Sequence, residues 1–224
     1  MGSLYDILSR PAVYNLAMAA LAPGAEGNIV REIAALLAAL PRGEPILDVG
    51  CGPRSWLDRV GIAPVGLDVD PAYVRAYRAR GGEAHQGSAD ALPFPDRHFA
   101  GVWCVGVLHH VDDRTASRAL GEMLRVCLAG GYVAVMDAVL PRSALVNPLA
   151  SAIRYLDRGR HMRTEAHLRG LFPNTVQWRF NRFRYASTGL EMLSCVASNA
   201  LQTPFTRTHP TNRDRESAIR PRAS

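Results

Sequence analysis

Two groups of residues in this chain have types and spacing that point to chemistry, and the first is a glycine turn followed by an acid. Gly50 and Gly52 stand directly after the apolar run 46–49, and Asp68 lies in a second apolar run, 20 positions after Asp48. Glycines let the backbone approach a ligand closely. An acid at the end of a second strand can accept hydrogen bonds from both hydroxyls of a ribose. The combination predicts a site for a nucleoside-containing cofactor.

The sequence excludes two common nucleotide sites at this turn. A dinucleotide fingerprint has a glycine or alanine at the position that Ser55 occupies here. A phosphate-binding Walker loop requires a lysine. The chain contains no lysine, since all 26 of its strongly basic residues are arginines.

The second group is the pair His109-His110, which follows the apolar run 99–105. Histidine titrates near neutrality, so either ring could take a proton from a hydroxyl or an activated carbon. The alternative interpretation is that a histidine here caps the following helix or makes a hydrogen bond within the core.

The elements that must position these residues alternate between strand and helix patterns. Short apolar runs separated by segments of helical periodicity predict a parallel sheet that is covered by helices on both faces. The glycine turn is predicted to open a helix whose first N–H groups are free for a ligand. Gly130 and Gly131 are predicted to end the helix that precedes the fifth strand. The predicted strands cover residues 45–50, 65–69, 83–86, 99–105 and 132–138, and the predicted helices cover residues 71–80 and 115–128.

The pattern differs on either side of this core. Helical spacing also occurs before it, and an interrupted helical stretch follows Pro141, with Thr164 fitting a helix N-terminus. Residues 176–185 alternate as a strand does, whereas 190–197 fit a strand or a helix. We expect one domain over residues 1–202 and a flexible tail over 203–224. Its predicted parts are N-terminal helices (1–43, with helical spacing at 4–22 and 28–40), a cofactor-binding core (44–140), and a lid insertion with the last strands (141–202).

Composition is that of an ordinary globular protein, with 48% hydrophobic and 21% charged residues. The four cysteines form no CxxC pair and show no metal-ligand spacing with histidines, so we expect reduced thiols and no metal. The N-terminal region has neither a secretion-signal pattern nor an apolar run of membrane-spanning length. These features favour a cytoplasmic protein without a membrane partner.

Charge is unevenly distributed along the chain. Residues 1–140 carry 12 Arg against 15 Asp/Glu, and residues 141–224 carry 14 Arg against five. A protein that coats nucleic acid would be basic throughout, so this pattern argues against that function. The basic excess lies where we expect the lid and the tail.

Four motifs resemble the class I S-adenosylmethionine-dependent methyltransferases, in particular their small-molecule "type 11" branch. They are ILDVGCGP (46–53), VGLDVDP (65–71), GSADALPFPDRHFAGVWCVGVLHHVDD (87–113) and EMLRVCLAGGYVAVMD (122–137). The resemblance implies a Rossmann-like sheet of seven mostly parallel strands, with helices on both faces and helical lid elements. It also implies S-adenosyl-L-methionine as the cofactor, bound across the carboxyl ends of strands one to four, and S-adenosyl-L-homocysteine as the product.

The resemblance also implies roles for individual residues. The glycines of the loop would pass under the methionine and ribose, Asp48 would orient the loop or a water, and Asp68 would take the ribose hydroxyls. Residues 88–90 would face the adenine. At Arg54, where the family has a third glycine, either the packing of the helix would differ or the side chain would reach outward. The implied cofactor-binding residues are Asp48, Gly50, Cys51, Gly52, Asp68, Val69, Ser88, Ala89, Asp90, Cys104 and Val105.

The predicted function is methyl transfer to an oxygen, carbon or nitrogen atom of a small molecule, with His109 and His110 as candidate catalytic residues. The chain lacks the Asn/Asp-Pro-Pro-Tyr/Phe motif of nucleobase amino methyltransferases, and none of its cysteines follows a proline. Arginine binds carboxylates and phosphates well, so an acidic acceptor is a hypothesis, with a solvated helix face as its alternative. The candidate acceptor-binding residues are Tyr5, Tyr14, Arg158 and Arg160.

Two other functions stay open at this point. One is a non-catalytic cofactor-binding or scaffold protein of the same fold. The other is an RNA-associated methyltransferase, for which the aromatic and basic residues interleaved over 178–185 would provide contacts; alternating aromatics also occur at buried sheet edges. The sequence permits a monomer or a homodimer.

Overall fold

A single seven-stranded sheet organises the computed structural model, which describes residues 25–142, 160–185 and 189–199. The strand order is β3-β2-β1-β4-β5-β7-β6. Strands β1 to β5 run parallel, and β7 pairs antiparallel with both β5 and β6. The strands are β1 Ile46–Val49, β2 Val65–Asp68, β3 Ala84–Gln86, β4 Phe99–Val105, β5 Cys127–Val139, β6 Trp178–Arg184 and β7 Glu191–Ser198. This confirms the predicted fold class.

Helices cover both faces of the sheet. Side chains alternate between the two faces along each strand, so each face has its own set of residues that pack against helices. The described α-helices are α1 Ala25–Ala39, α2 Pro71–Arg78, α3 Asp113–Val126 and α4 Glu165–Gly170. On one face, α3 buries Ala116, Leu120 and Met123 against the sheet, and Leu168 of α4 joins the same core. On the other face, Ile29 and Ile33 of α1 pack near Trp103. Tyr77 of α2 lies beside Ala84 of the neighbouring strand β3.

Side-chain caps fix where three of these helices begin. The Asp70 carboxylate accepts a hydrogen bond from the Ala72 N–H at 2.7 Å, and that of Asp112 accepts one from the Thr115 N–H at 2.8 Å. Thr164 Oγ1 accepts one from the His167 N–H at 3.2 Å, as expected for the predicted helix start. The predicted helix start at Thr164 is therefore confirmed, and Asp70 and Asp112 begin their helices in the same way.

The prediction that the glycine turn opens an α-helix was wrong. The residues that follow form a short 3₁₀ helix, Leu57–Val60, which ends at Gly61 in the left-handed conformation with φ 80°. The connection between β1 and β2 therefore contains this 3₁₀ helix in place of the expected α-helix. The loop N–H groups consequently bond to the end of β2 rather than pointing outward from a helix.

The glycines at 130 and 131 also lie elsewhere than predicted. Helix α3 ends at Val126, and β5 begins at Cys127 and runs through both glycines. A side chain on Gly131 would place its Cβ 2.6 Å from the Ala100 carbonyl oxygen, so the glycine permits close approach of β4. The ambiguous segment 190–197 forms strand β7.

Several predicted features lie outside the described residues. They are the helical pattern at 4–22, the candidate acceptor residues Tyr5, Tyr14 and Arg158, and the tail 203–224. In the three described ranges, no helix has both the length and the apolar character that crossing a membrane requires.

Candidate functional site

The glycine loop is bound to the carboxyl end of β2. The N–H groups of Gly50 and Cys51 both donate to the Leu67 carbonyl oxygen, at 2.7 and 3.1 Å. The Gly52 N–H donates to Asp68 Oδ2 at 2.9 Å, and the Asp70 N–H donates to Asp68 Oδ1 at 2.9 Å. Each carboxylate oxygen has a second lone pair, so Asp68 keeps capacity to accept hydrogen bonds from a ligand.

Two glycines of this loop are required for different reasons. Gly50 has φ 75°, and a Cβ there would lie 2.3 Å from a methyl group of Val107, so this glycine lets the loop after β1 contact the loop after β4. Gly52 has φ 62°, but nothing lies within 4 Å of the position of its Cβ. The point between β1 and β4 is where the strand order reverses, and open α/β sheets bind ligands at that point. Gly52 therefore leaves open space beside the expected binding crevice.

Asp48 lies beneath the loop and is 2% exposed. Its Oδ2 accepts a hydrogen bond from Ser55 Oγ at 2.6 Å, and that Oγ accepts one from the Leu57 N–H at 3.0 Å. Asp48 thus ties β1 to the 3₁₀ helix that follows the loop. Burial, despite the Ser55 hydrogen bond, raises the pKa of Asp48 from 3.8 to about 7.

Replacement of Asp48 by Asn is expected to change how stability depends on pH. Because the native pKa is raised, the folded protein holds a proton between about pH 4 and 7 that the unfolded chain releases. The free energy of unfolding therefore falls as pH rises through this range, by up to about 4 kcal/mol. Urea denaturation at pH 5 and pH 8 should show Asp48→Asn gaining stability relative to wild type at the higher pH. If the difference in stability between Asp48→Asn and wild type were the same at pH 5 and at pH 8, the raised pKa of Asp48 would be contradicted.

The residues predicted to face an adenine form a tight turn after β3. Ser88 Oγ donates to Asp90 Oδ1 at 2.5 Å, and Asp90 lies 3.8 Å from the Arg118 guanidinium. At the end of β2, the apolar side chain of Val69 is 70% exposed. These features lie on the same edge of the sheet as Asp68, because β2 and β3 run parallel.

The cysteines near the site are buried. Cys51 Sγ donates to the Gly52 carbonyl oxygen, and burial raises its pKa. Burial also raises the pKa of Cys104, which packs in the core beneath α3, while the neighbouring Val105 packs on the opposite face of the sheet. Neither thiol has the exposed, electropositive surroundings of a nucleophile.

Sequence reasoning missed a buried carboxylate that holds His109. Asp137 is 1% exposed, its Oδ1 forms a short hydrogen bond with His109 Nδ1, and its Oδ2 accepts one from the His109 N–H at 3.1 Å. Burial opposes ionisation, but the charge and hydrogen bonds of His109 outweigh it and hold the pKa of Asp137 below its usual range. The available signal was a charged residue at the end of the apolar run 132–138.

The two histidines have different environments. His109 is 8% exposed and bonded to Asp137, whereas His110 is exposed, with its ring centroid 4.0 Å from that of His109. His109 makes the core hydrogen bond that the alternative interpretation expected. That bond also fixes the orientation of its ring, as a base requires.

In the described part of the chain after Pro141, the aromatic side chains are buried or half-buried, whereas most of the arginines are exposed. Arg163 is 3% exposed, whereas Arg160 lies at the surface. Trp178 donates from its ring N–H to the Pro173 carbonyl oxygen at 2.9 Å, and the Arg169 guanidinium lies 4.4 Å from the ring centre of Phe180. These aromatics form a half-buried sheet edge, as one of the alternatives expected.

Two cavities lie away from the glycine loop. One, of about 350 Å³, is at the amino ends of β1 and β2, the edge of the sheet opposite to Asp68. The other, of about 460 Å³, lies beside the start of α3 and is lined by Asp112, Asp113, Arg114, His161, Met162, Arg163 and His167. Neither is lined by the residues of the predicted cofactor site.

Arg54 reaches outward, which was one of the two alternatives expected at this position. Its side chain is 41% exposed and lies 3.9 Å from the Asp58 carboxylate. The loop therefore accommodates this arginine while the Gly52 N–H keeps its hydrogen bond to Asp68.

Residues 47–135, which contain the loop, Asp68 and His109, match a family model described as a methyltransferase domain, type 11. This segment belongs to that family. The methyltransferase domain thus includes strands β1 to β4, most of β5, and the edge of the sheet on which the candidate residues lie.

Curated relatives of this methyltransferase domain act on different kinds of molecule. The chain is 30% identical over 109 residues to the tRNA (carboxymethyluridine(34)-5-O)-methyltransferase of Arabidopsis thaliana, covering 46% of this chain and 26% of the relative. It is 30% identical over 158 residues to the 27-O-demethylrifamycin SV methyltransferase of Amycolatopsis mediterranei, covering 62% of this chain and 57% of that relative. The matches therefore span about a quarter of one relative and just over half of the other.

A solved structure shares the fold over a longer range. A possible histamine N-methyltransferase from Thermotoga maritima superposes with a TM-score of 0.66 and 18% identity, covering 88% of this chain and 100% of the other. At that identity the likeness establishes the fold.

Proposed function

We propose that this protein is an S-adenosyl-L-methionine-dependent methyltransferase that acts on a small-molecule acceptor. The observation that supports it best is the hydrogen bond from the Gly52 N–H to Asp68, within a matched methyltransferase domain. It puts a carboxylate with spare acceptor capacity next to a loop that has open space before it. A nucleoside cofactor needs both features.

The residues at this edge fit the proposed cofactor. Asp68 would accept the ribose hydroxyls, and Gly52 would leave room for the chain of the methionine. The exposed side chain of Val69 would cover part of the adenosine, which accounts for an apolar residue that is otherwise in water. Asp90, held by Ser88, would accept from the adenine amino group.

When bound, this cofactor supplies a methyl group on a positively charged sulfur, which is already activated for transfer. The chain then has to align the acceptor and, where the acceptor atom carries a proton, remove it. His109 is the proposed base. Its Nδ1 is bonded to Asp137, so a proton taken up by the ring would go to its other nitrogen, Nε2. Asp137 would stabilise the charge that forms on the ring.

Binding and transfer are tested separately. Calorimetric titration with S-adenosyl-L-homocysteine should give a saturable signal, and its absence would overturn the proposed cofactor. Incubation with labelled S-adenosyl-L-methionine and either a metabolite extract or total tRNA should place label in the small-molecule fraction. Label in tRNA would instead favour the acceptor of the plant relative, and binding without transfer to either pool would favour a scaffold protein.

Replacement of His109 by Ala is expected to lower kcat by about 100-fold or more, because a positioned base contributes at least that much. It should also remove the acidic limb from the pH–rate profile measured with the acceptor that the labelling identifies. His110→Ala is the matched control, since His110 is exposed and we assign it no proton transfer. An unaltered profile for His109→Ala would exclude His109 as the base.

A further inference from the structure

Arg163 is a buried cation, and it donates hydrogen bonds to the turn of residues 108–111, which contains His109. Its side chain is 3% exposed. The guanidinium donates to the Leu108 carbonyl oxygen at 2.7 Å, to the Val111 carbonyl oxygen at 2.7 Å and to Asp113 Oδ1 at 2.8 Å. Two of these three acceptors are backbone atoms that flank the two histidines. Burial of an arginine is costly, so this arrangement needs an explanation beyond the ion pair with Asp113, which is 53% exposed.

Other backbone groups of this turn also form hydrogen bonds with the end of β5 and with residues 161–163. The His109 N–H donates to Asp137 at the end of β5, and the His109 carbonyl oxygen accepts from the His161 N–H at 3.0 Å. Arg163 itself is attached to the end of β5, because the Leu140 N–H donates to its carbonyl oxygen at 2.8 Å. The end of β5 and residues 161–163 therefore hold the turn from one side.

We propose that Arg163 is a positioning residue that holds His109 against Asp137. The inference rests on the proposed function, in which His109 is the base. Arginine suits this task because its planar group carries five N–H donors and reaches several acceptors at once, whereas a lysine ammonium is a point charge on a flexible stem. Asp137 fixes the ring of His109, and Arg163 fixes the backbone from which that ring projects.

Arg163 acts on the protein itself and not on an acceptor. It lies close in the chain to Arg158 and Arg160, the candidate residues for an acidic acceptor, but its own donors are directed at protein acceptors. It acts on the reaction through His109 rather than by contact with the acceptor. Changes at Arg163 should therefore affect the state of His109 even when no acceptor is present.

The test is Arg163→Lys, which keeps the charge but cannot reach all three acceptors. In wild type, the Asp137 carboxylate, which is bonded to Nδ1, favours the charged form of the His109 ring. A looser turn would weaken the contact between His109 and Asp137, so His109 should titrate at a lower pH than in wild type. NMR of protein with isotopically labelled histidine measures this titration. We also expect kcat to fall by about tenfold or more, with an acid limb moved to lower pH. The KM for the acceptor and the affinity for S-adenosyl-L-homocysteine should stay within about twofold.

Arg182→Lys is the matched control. Arg182 is 11% exposed and donates to Glu165 and to the Leu140 carbonyl oxygen, at 2.9 and 3.0 Å, and also to Glu191, so it makes the same kinds of contact. None of these contacts is to residues 108–111. The control should lose comparable stability and leave the titration of His109 unchanged.

If Arg163→Lys does not fold, Asp113→Asn provides the second variant, since it weakens the anchoring of Arg163 and leaves both carbonyl bonds. It should move the titration of His109 in the same direction by a smaller amount. A titration and pH–rate profile like those of wild type would overturn the positioning role. Failure of the wild-type protein to bind S-adenosyl-L-homocysteine would overturn the proposed function instead, and the NMR titration distinguishes the two.

Discussion

Replacement of Asp68 by Ala is expected to lower the affinity for S-adenosyl-L-homocysteine by about 100-fold or more. Two hydrogen bonds from ribose hydroxyls to a carboxylate would be lost, at about 1.5–3 kcal/mol each. The variant would also leave the N–H groups of Gly52 and Asp70 without their present acceptor. Loosening of the loop adds to the loss, and calorimetric titration measures the sum.

Asp70→Ala is the control for this substitution. Asp70 stands two residues further on and is exposed, and its side chain caps helix α2. Its loss should cost about 1 kcal/mol of stability and leave the affinity unchanged. An Asp68→Ala protein that binds as tightly as wild type would show that the cofactor lies elsewhere.

Replacement of Gly50 by Ala is expected to lower the free energy of unfolding by about 3 kcal/mol or more. The new Cβ would lie 2.3 Å from Val107 Cγ2, and the backbone φ of 75° is unfavourable for any residue with a side chain. The left-handed conformation costs about 1–2 kcal/mol and the overpacking about 1–3 kcal/mol. Denaturant unfolding provides the measurement.

Two other glycines separate these contributions. Gly52→Ala has a φ of 62° but nothing within 4 Å of its Cβ, so it should lose only about 1–2 kcal/mol while weakening cofactor binding, because its methyl enters the space before the loop. Gly121→Ala, in the exposed part of helix α3, should gain about 1 kcal/mol. Equal stabilities for the Gly50 and Gly52 variants would show that the contact with Val107 does not constrain the loop.

These two predictions concern one structural unit. Gly50 contacts the loop after β4, and Gly52 contacts the end of β2, so a short loop joins three strands at the point where their order reverses. This explains why a local change there is expected to affect both folding and binding. A side chain at position 50 would disturb the packing against the loop after β4. The loss of the Asp68 carboxylate would instead remove an acceptor that the loop and the ligand share.

The elements of the core could be predicted because their signals are local. Buried parallel strands are continuous apolar runs, and strands β1, β2 and β4 lie where such runs occur. Helix starts at Asp70 and Asp112 follow from side chains that bond two or three residues further along. By contrast, the glycines at 130 and 131 carry no local sign that distinguishes a helix end from the close approach of a neighbouring strand.

The sequence by itself determined the α/β fold, the glycine loop with Asp68, and the chemistry that these residue types allow. Only the tertiary structure decided that Asp137 holds His109 and that Arg163 holds the turn around it. Asp137 lies 28 residues along the chain from His109, and Arg163 lies 52 to 55 residues from the carbonyl groups to which it donates. Hydrogen bonds depend on distance and direction in space, and spacing along the chain does not encode them until the sheet brings β4, β5 and residues 161–163 together.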